Sequence, residues 1–381
     1  MVTRTDIAVI GAGLAGAACA RTLARAGLRV TVYERASAPA TGASGNPIGI
    51  LHPLMSKDHN LASQWVELGM ATTLQWLEEL NPMAASKGIG LIGKSCGVAQ
   101  LDRDAQELMC WDPRGAWIKP QRFVETCLLD AELHGAQVHF NCTVTAISDD
   151  GRLIFEDGST QYFDLVVVCS AHQMEELLPH HGLMLNAIRG TVSSYAVAAE
   201  HTLPCVICAS GYATPLVEGE MVVGASYERL PENADGAGLS VAKVIDAVSK
   251  ALVGDDNDSD ELSNLDRLKI IDSHLAEICA KAPTQERTSI RSATLDRMPH
   301  VGRVLDTRVA LKSSVSQLHQ MPRNERIWAL GGLGSRGLSF APLGAEVITA
   351  QILGQPLPIP DRLAGAVDPV RFALRRHQRR K

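Results

Sequence analysis

The sequence predicts an α/β protein in which a Rossmann-like nucleotide-binding domain is joined to a second domain built on an antiparallel sheet. Three observations predict it. A strand, glycine turn, helix and second strand fill residues 6–34. Short apolar segments alternating with turns occupy 186–230, as in an antiparallel sheet. A further strand, glycine-rich turn and helix close the chain at 326–353.

In chain order, residues 6–10 are a short apolar strand, followed by Gly11-Ala-Gly13-Leu-Ala-Gly16 and an alanine-rich helix that Gly27 ends. Residues 29–33 form the next strand, and Glu34 stands 18 positions after the third glycine. The three glycines serve different ends. Gly11 makes the tight turn, Gly13 lets backbone N–H groups approach a pyrophosphate, and Gly16 lets helix and strand pack closely. The helix N-terminus adds partial positive charge, and Glu34 suits ribose hydroxyls while disfavouring a 2′-phosphate. Gly88-Ile-Gly90-Leu-Ile-Gly93 has the same spacing. With no strand before it and no helix after it, it is a decoy.

Thr41-Gly-Ala-Ser44-Gly-Asn46-Pro-Ile-Gly49 is a small-residue loop that no core requires. Helices are expected over 61–80, 120–134 and 240–253, strands over 88–111 and 138–147, and a buried parallel strand over 164–169. Within 186–230 the strands are expected at 188–198, 211–215 and 220–226. The acidic run 255–261 reads as a solvated loop, since it lacks the spaced ligands and glycine of a calcium loop. The strand 326–330, the turn Gly331-Gly-Leu-Gly334-Ser-Arg336-Gly337 and a helix over 343–353 return to the style of the first unit. The expected nucleotide-binding domain is therefore discontinuous (1–87, 115–185 and 326–381), with a substrate domain at 88–114 and 186–325.

Composition sets outer bounds. The 381 residues are 46% hydrophobic and 20% charged, enough for sizeable cores and against global disorder, collagen or coiled coil. Lys and Arg number 36 against 42 Asp and Glu, a net charge of −6, which excludes a general nucleic-acid binder unless a local basic patch serves. Nine scattered cysteines read as reduced thiols in a cytoplasmic protein. Cys205 and Cys208 form one CxxC with no second pair, so buried thiols are expected in place of a metal site or dithiol. No run reaches the 18 apolar residues of a membrane helix, and the signal-like N-terminus, with its glycines, belongs to the fold.

The Gly11–Gly16 turn with Glu34, then Gly42-Ala-Ser-Gly-Asn46-Pro-Ile-Gly-Ile-Leu-His-Pro53-Leu-Met-Ser-Lys57, resembles the D-amino-acid oxidase superfamily of flavoproteins. Within it the sequence is similar to the FAD-dependent oxidoreductase domain of the bifunctional tRNA 5-methylaminomethyl-2-thiouridine biosynthesis proteins. Gly211-Tyr-Ala-Thr-Pro215, Val223-Gly-Ala-Ser226-Tyr, Arg291-Ser-Ala-Thr-Leu-Asp-Arg-Met-Pro299-His-Val-Gly302 and Gly334-Ser-Arg336-Gly-Leu-Ser-Phe-Ala-Pro342-Leu extend the likeness over nearly the whole chain.

The resemblance implies a D-amino-acid oxidase-like fold with FAD as cofactor. It implies the FAD pyrophosphate on Gly11, Gly13 and Gly16, and the ribose on Glu34 with Arg35 beside it. Ser44, Asn46 and Gly49 would line the pyrophosphate and ribityl chain, and Val144 would present backbone groups to the adenine. Gly334, Ser335, Arg336, Gly337 and Leu338 would bring backbone N–H groups to the flavin pyrimidine oxygen, where a reduced flavin anion needs donors. Arg291 would fork a substrate carboxylate, the alternative being a salt bridge to Asp296. Arg336 and Ser335 would meet substrate or cofactor. Lys57 would face the isoalloxazine or cap a helix. Arg189 is expected to be structural and His52 a packed loop residue.

The implied activity is oxidation of a carboxymethyl-bearing secondary amine, 5-carboxymethylaminomethyl-(2-thio)uridine at tRNA wobble position 34, to the 5-aminomethyl form and glyoxylate. The bifunctional proteins carry a methyltransferase domain before the flavin domain. Here the fingerprint starts at residue 7, so any methylation is expected from a separate protein. A free small amino acid (glycine, sarcosine or a D-amino acid) would suit the same chemistry. The discriminator is the tail 371–381, with six Lys or Arg side chains and no acid, as an RNA contact or a solvated tail.

Overall fold

The computed structural model describes residues 5–103, 105, 107–230 and 262–379. The helix expected at 240–253 and the acidic run 255–261 lie outside the described residues. The apolar strand Asp6–Ile10 runs parallel between Arg29–Tyr33 and Leu165–Val168, with Ile7 level with Val30 and Leu165. The sheet orders its strands His300–Leu305, Arg323–Gly331, Leu165–Val168, Asp6–Ile10, Arg29–Tyr33, Gln137–His139. All neighbours are parallel except the His300–Leu305 edge. That edge corrects the sequence reading, which put 300–305 in the substrate domain. The turn after Ala293 sends the chain back beside Arg323–Gly331, and Val301 and Val304 are buried there.

The expected strand 138–147 is two strands. Asn141 takes a left-handed backbone (φ 56°), and the Asn141 and Cys142 N–H groups donate to the Ala36 and Glu34 carbonyls. Gln137–His139 therefore stays in the parallel sheet, while Val144–Ile147 joins Arg152–Phe155 and Thr160–Tyr162 in a separate antiparallel sheet.

The second large sheet has eight strands. Asn186–Ala196 lies at its centre, between Thr284–Ala293 on one side and Glu220–Gly224 and Glu228–Arg229 on the other. Tyr212–Ala213 follows Glu220–Gly224, then Val206–Cys208, Val98–Leu101 and Leu108–Asp112. Only Val206–Cys208 with Val98–Leu101 is parallel. The sheet pairs 98–112 with 206–208, two stretches about a hundred residues apart.

The helix Leu61–Ser86 starts at Asn60, whose side chain accepts from the Ala62 and Ser63 N–H groups at 3.1 Å. It runs through Pro82, six residues past the expected end. The last helix of the glycine turn is Gly337–Leu353, not 343–353. Pro342 inside it has no N–H for the Leu338 carbonyl. The buried Thr73 hydroxyl donates to that carbonyl at 2.7 Å, and Gly69 lets the two helices close to where a Cβ would stand 1.9 Å from the Ser339 oxygen. Thr73→Val strands that carbonyl, and is expected to lower unfolding stability by about 1–3 kcal/mol in a denaturant titration. Among the described residues no helix is long and apolar enough to cross a membrane.

Candidate functional site

A cavity of about 400 Å³ opens at the carboxyl ends of the parallel strands, where Ile10, Gly11, Tyr33, Glu34, Cys169 and Leu330 form its floor. Ligands of open α/β sheets bind at such strand ends. Gly11 (φ 103°) turns the chain, and a Cβ there would stand 2.9 Å from the Cys169 oxygen. Gly13 also lines the cavity, with the Ser44 hydroxyl beside it accepting from the Leu14 N–H at 3.0 Å. Gly16 does not reach the cavity. Its place is under the turn, where a Cβ would meet the Gly11 oxygen at 1.8 Å.

The Glu34 carboxylate accepts the Ala12 N–H at 2.7 Å and the Ala36 N–H at 2.9 Å. It is thereby fixed on the cavity wall, with lone pairs left for further donors. Arg35, Ser44, Asn46, Gly49 and Val144 line the same space, as do Gly334, Ser335, Gly337 and Leu338. The expected donor set of the glycine turn is smaller than the sequence implies. The Gly334 N–H already serves the Ser292 carbonyl at 2.7 Å, and the Arg336 N–H serves Leu333 at 3.0 Å. Those of Ser335, Gly337 and Leu338 have no acceptor among the described residues, and the last two sit at a helix N-terminus.

Several lining residues escaped the sequence reading. The loop after Leu165–Val168 brings Ser170 and His172 to the cavity, with Ala171 left-handed (φ 52°) between them. Ser170 Oγ, His172 Nδ1 and Ser292 Oγ are buried without a protein partner. Burial, with Arg35 nearby, pushes His172 down to about 4, so its ring is neutral. Strand ends of a parallel sheet are the signal that could have marked 170–172. Arg287, four residues before Arg291 on one face of Thr284–Ala293, donates to the Thr41 and Gly42 carbonyls at 2.9 and 2.8 Å. It ties the small-residue loop to the large sheet.

On the large-sheet side stand His52, Tyr212, Tyr227 and Arg291. Arg291 is 7% exposed, and among the described residues no carboxylate pairs with it. Its guanidinium lies over Gly190 and 5.8 Å from the Tyr227 ring. Burial lowers its basicity, while Tyr212 and Tyr227 oppose that shift. The alternative partner, Asp296, binds Arg371 and Arg375 instead. Burial pushes Tyr212 up to about 12. Gln100 Nε2 donates to the Pro53 carbonyl at 2.8 Å and to His52 Nδ1 at 2.9 Å, which leaves the His52 proton on Nε2. Burial and the Arg336 charge push His52 down to about 3.

Arg336 is not on the cavity wall. It sits behind it, its charge bearing on His52, Cys208 and Tyr227, and burial lowers its basicity. Lys57 is exposed and off the wall, in the turn Ser56–His59 that leads into the Asn60 cap. Arg189 pairs with Glu228 across the sheet. Burial pushes the Cys208 thiol up to about 12, which leaves it inert. The tail is a helix, Arg371–Arg379, and Arg371 is buried on Asp296, so it is not a free basic arm. Arg376 and Arg379 remain exposed.

The glycine cradle, the free N–H groups and the orphaned Ser170, His172 and Ser292 atoms fit a phosphate-bearing dinucleotide. The pattern of the FAD dependent oxidoreductase family matches residues 6–109 and 109–351. The chain is 31% identical over 430 residues to the tRNA 5-methylaminomethyl-2-thiouridine biosynthesis bifunctional protein MnmC of Cupriavidus necator, covering 96% of this chain and 60% of that protein. It thus spans about 60% of that relative's length. In fold it is similar to glycine oxidase from Geobacillus kaustophilus (TM-score 0.69, 18% identity, 97% and 99% of the two chains). It is also similar to L-proline dehydrogenase from P. horikoshii (TM-score 0.67, 13% identity, 97% and 98%). With the cradle, the sheet order and the family pattern in agreement, the chain belongs to the FAD-dependent oxidoreductase family and takes FAD as its cofactor.

Proposed function

We propose that the protein oxidises a secondary amine bearing a carboxymethyl group, and that its substrate is 5-carboxymethylaminomethyl-(2-thio)uridine at tRNA wobble position 34. The observation that carries this reading is Arg291, a buried guanidinium on the cavity wall with no carboxylate partner among the described residues. Such a cation is costly unless a ligand anion completes it, and its planar fork matches a carboxylate. The relative's name supplies tRNA and the 5-methylaminomethyl-2-thiouridine being made; the carboxymethylaminomethyl precursor at position 34 is what the sequence resemblance implies.

Bound FAD supplies the two-electron acceptor. The chain's residues orient the substrate around it. Arg291 would hold the carboxylate, which fixes the adjacent CH2. That carbon loses a C–H bond and two electrons, and the nitrogen loses its proton, giving an imine. Water splits the imine into the 5-aminomethyl nucleoside and glyoxylate. The Ser335, Gly337 and Leu338 N–H groups, at or beside the helix N-terminus, favour negative charge where they point.

Neither His52, pushed down to about 3, nor Tyr212, pushed up to about 12, changes charge near neutrality. Neither of them then takes the amine proton, and the substrate amine enters neutral. kcat/KM is expected to rise with pH toward the amine's pKa, and His52→Gln to leave that inflection in place in a pH–rate series. A shifted inflection would make His52 the base.

FAD is expected to be non-covalent, since the 331–340 turn carries no cysteine for a flavin thioether. Acid precipitation should release all of the yellow colour into the supernatant. The reading itself is tested by nucleoside mass spectrometry of tRNA incubated with the FAD-loaded protein. The 5-aminomethyl nucleoside and glyoxylate should appear in equal amounts. An untouched nucleoside alongside rapid oxidation of glycine, sarcosine or a D-amino acid would overturn it in favour of a free amino acid substrate.

A further inference from the structure

The strand Glu220–Gly224 leads into Ala225, Ser226 and Tyr227, and then into the short strand Glu228–Arg229. Ser226 and Glu228 are both held on the central strand Asn186–Ala196. The Ser226 N–H donates to the Thr191 carbonyl at 3.1 Å, and the Ser226 hydroxyl accepts the Thr191 N–H at 2.8 Å. Glu228 accepts from Arg189 Nε at 2.8 Å. The backbone at Tyr227 is thereby pinned on either side, and Tyr227 lines the cavity together with Ala225 and Arg291. It differs from the other tyrosines of the wall. Tyr33 is 7% exposed and Tyr212 is half-buried, whereas Tyr227 is 47% exposed. A ring that lines a cavity and keeps so much of its surface in water stands at the mouth. Its centre lies 5.8 Å from the Arg291 guanidinium carbon.

The buried arginine and the ring at the mouth form a ruler. A carboxylate forked by Arg291 brings its carbon to about 4 Å from the guanidinium carbon. In a carboxymethylaminomethyl uracil, four single bonds lead from that carbon to C5 of the base, about 5 Å when extended. The edge of the base then stands about 9 Å from the guanidinium. With the Tyr227 ring at 5.8 Å, a base leaving toward the mouth comes to about one carbon–carbon stacking distance from it. An exposed aromatic ring gains by being covered, and every base offers a flat π-face for the purpose. N-methylglycine ends one methyl group past its nitrogen and brings no face to the ring.

We propose that Tyr227 is the platform on which the uracil base of the substrate stacks, while Arg291 holds the carboxylate. The arginine serves any carboxymethylamine, and the ring adds the contact that tells a nucleoside from a free amino acid. The proposal rests on the substrate reading above and names the side chain that gives it selectivity.

The test compares two ligands on the FAD-loaded protein. One is 5-carboxymethylaminomethyluridine, read as KM. The other is N-methylglycine, read as KM or as a competitive inhibition constant. In Tyr227→Leu the ratio of the nucleoside constant to the N-methylglycine constant is expected to rise about 5- to 100-fold, the loss of one base–aromatic stack. Tyr227→Phe keeps the ring and should hold the ratio within about twofold of the wild type. Tyr227→Trp should hold or lower it. Equal rises for both ligands in Tyr227→Leu would overturn the platform, by placing Tyr227 in support of Arg291, and would leave the substrate reading intact. A Tyr227→Phe protein that behaves like Tyr227→Leu would overturn it too, by assigning the effect to the hydroxyl. A wild-type protein that leaves the nucleoside untouched would remove the platform and the substrate reading together.

Discussion

Arg291→Lys is expected to lower kcat/KM for the carboxymethylaminomethyl nucleoside by about a hundredfold or more, with FAD content unchanged. Truncating or misshaping one side of a buried charged pair costs about 2–5 kcal/mol, and an ammonium cannot reproduce two parallel N–H···O bonds. The loss should fall mainly on KM if the fork acts equally in the ground and transition states. The converse is the sharper half. In the free protein Arg291 is a buried cation without a carboxylate among the described residues, so Arg291→Met should raise the melting temperature while abolishing turnover. A protein that loses activity and stability together would place Arg291 in the structure's support and not in the site.

Gly16→Ala is expected to empty the protein of FAD. Its Cβ would stand 1.8 Å from the Gly11 oxygen, a backbone atom in the turn itself, and 3.5 Å from Val9. Neither the helix Leu14–Arg25 nor the strand Asp6–Ile10 can yield, since both are buried against neighbours. The overpacking costs about 1–3 kcal/mol, occasionally more. Gly13→Ala is the informative contrast. There the nearest atom is the Ser44 hydroxyl at 3.0 Å, so the fold should survive while the added methyl enters the cradle. Flavin absorbance after gel filtration, with the melting temperature alongside, separates the two outcomes.

The parts of the fold that the sequence shows are those governed by local rules. The strands Asp6–Ile10 and Arg29–Tyr33 fall where their apolar runs put them, and the GxGxxG turn places Gly11, where a positive φ and the nearby Cys169 carbonyl demand glycine, and Gly16, packed on the Gly11 carbonyl. The elements it misses depend on partners distant in sequence. Gly337–Leu353 starts early because Thr73 and Gly69, on another helix, accommodate Pro342. The strand at 138–147 breaks because Glu34 and Ala36 take its N–H groups.

The candidate site divides in the same way. The cofactor cradle is written in a motif, whereas Ser170, His172, Ser292 and Arg287 carry no motif and come together through sheet order. Lys57 shows the opposite error. It follows a motif loop in sequence, yet the turn before Asn60 carries it to the surface.

Whether one cavity joins the FAD cradle to a carboxylate-holding arginine is measured most directly by anaerobic single-turnover reduction. The loss of oxidised-flavin absorbance is followed after mixing with 5-carboxymethylaminomethyluridine or with its carboxamide. The wild-type flavin should bleach quickly with the acid and at least a hundredfold more slowly with the amide, and Arg291→Met should make the two equally slow. Equal rates for acid and amide in the wild-type protein would contradict a carboxylate held at Arg291.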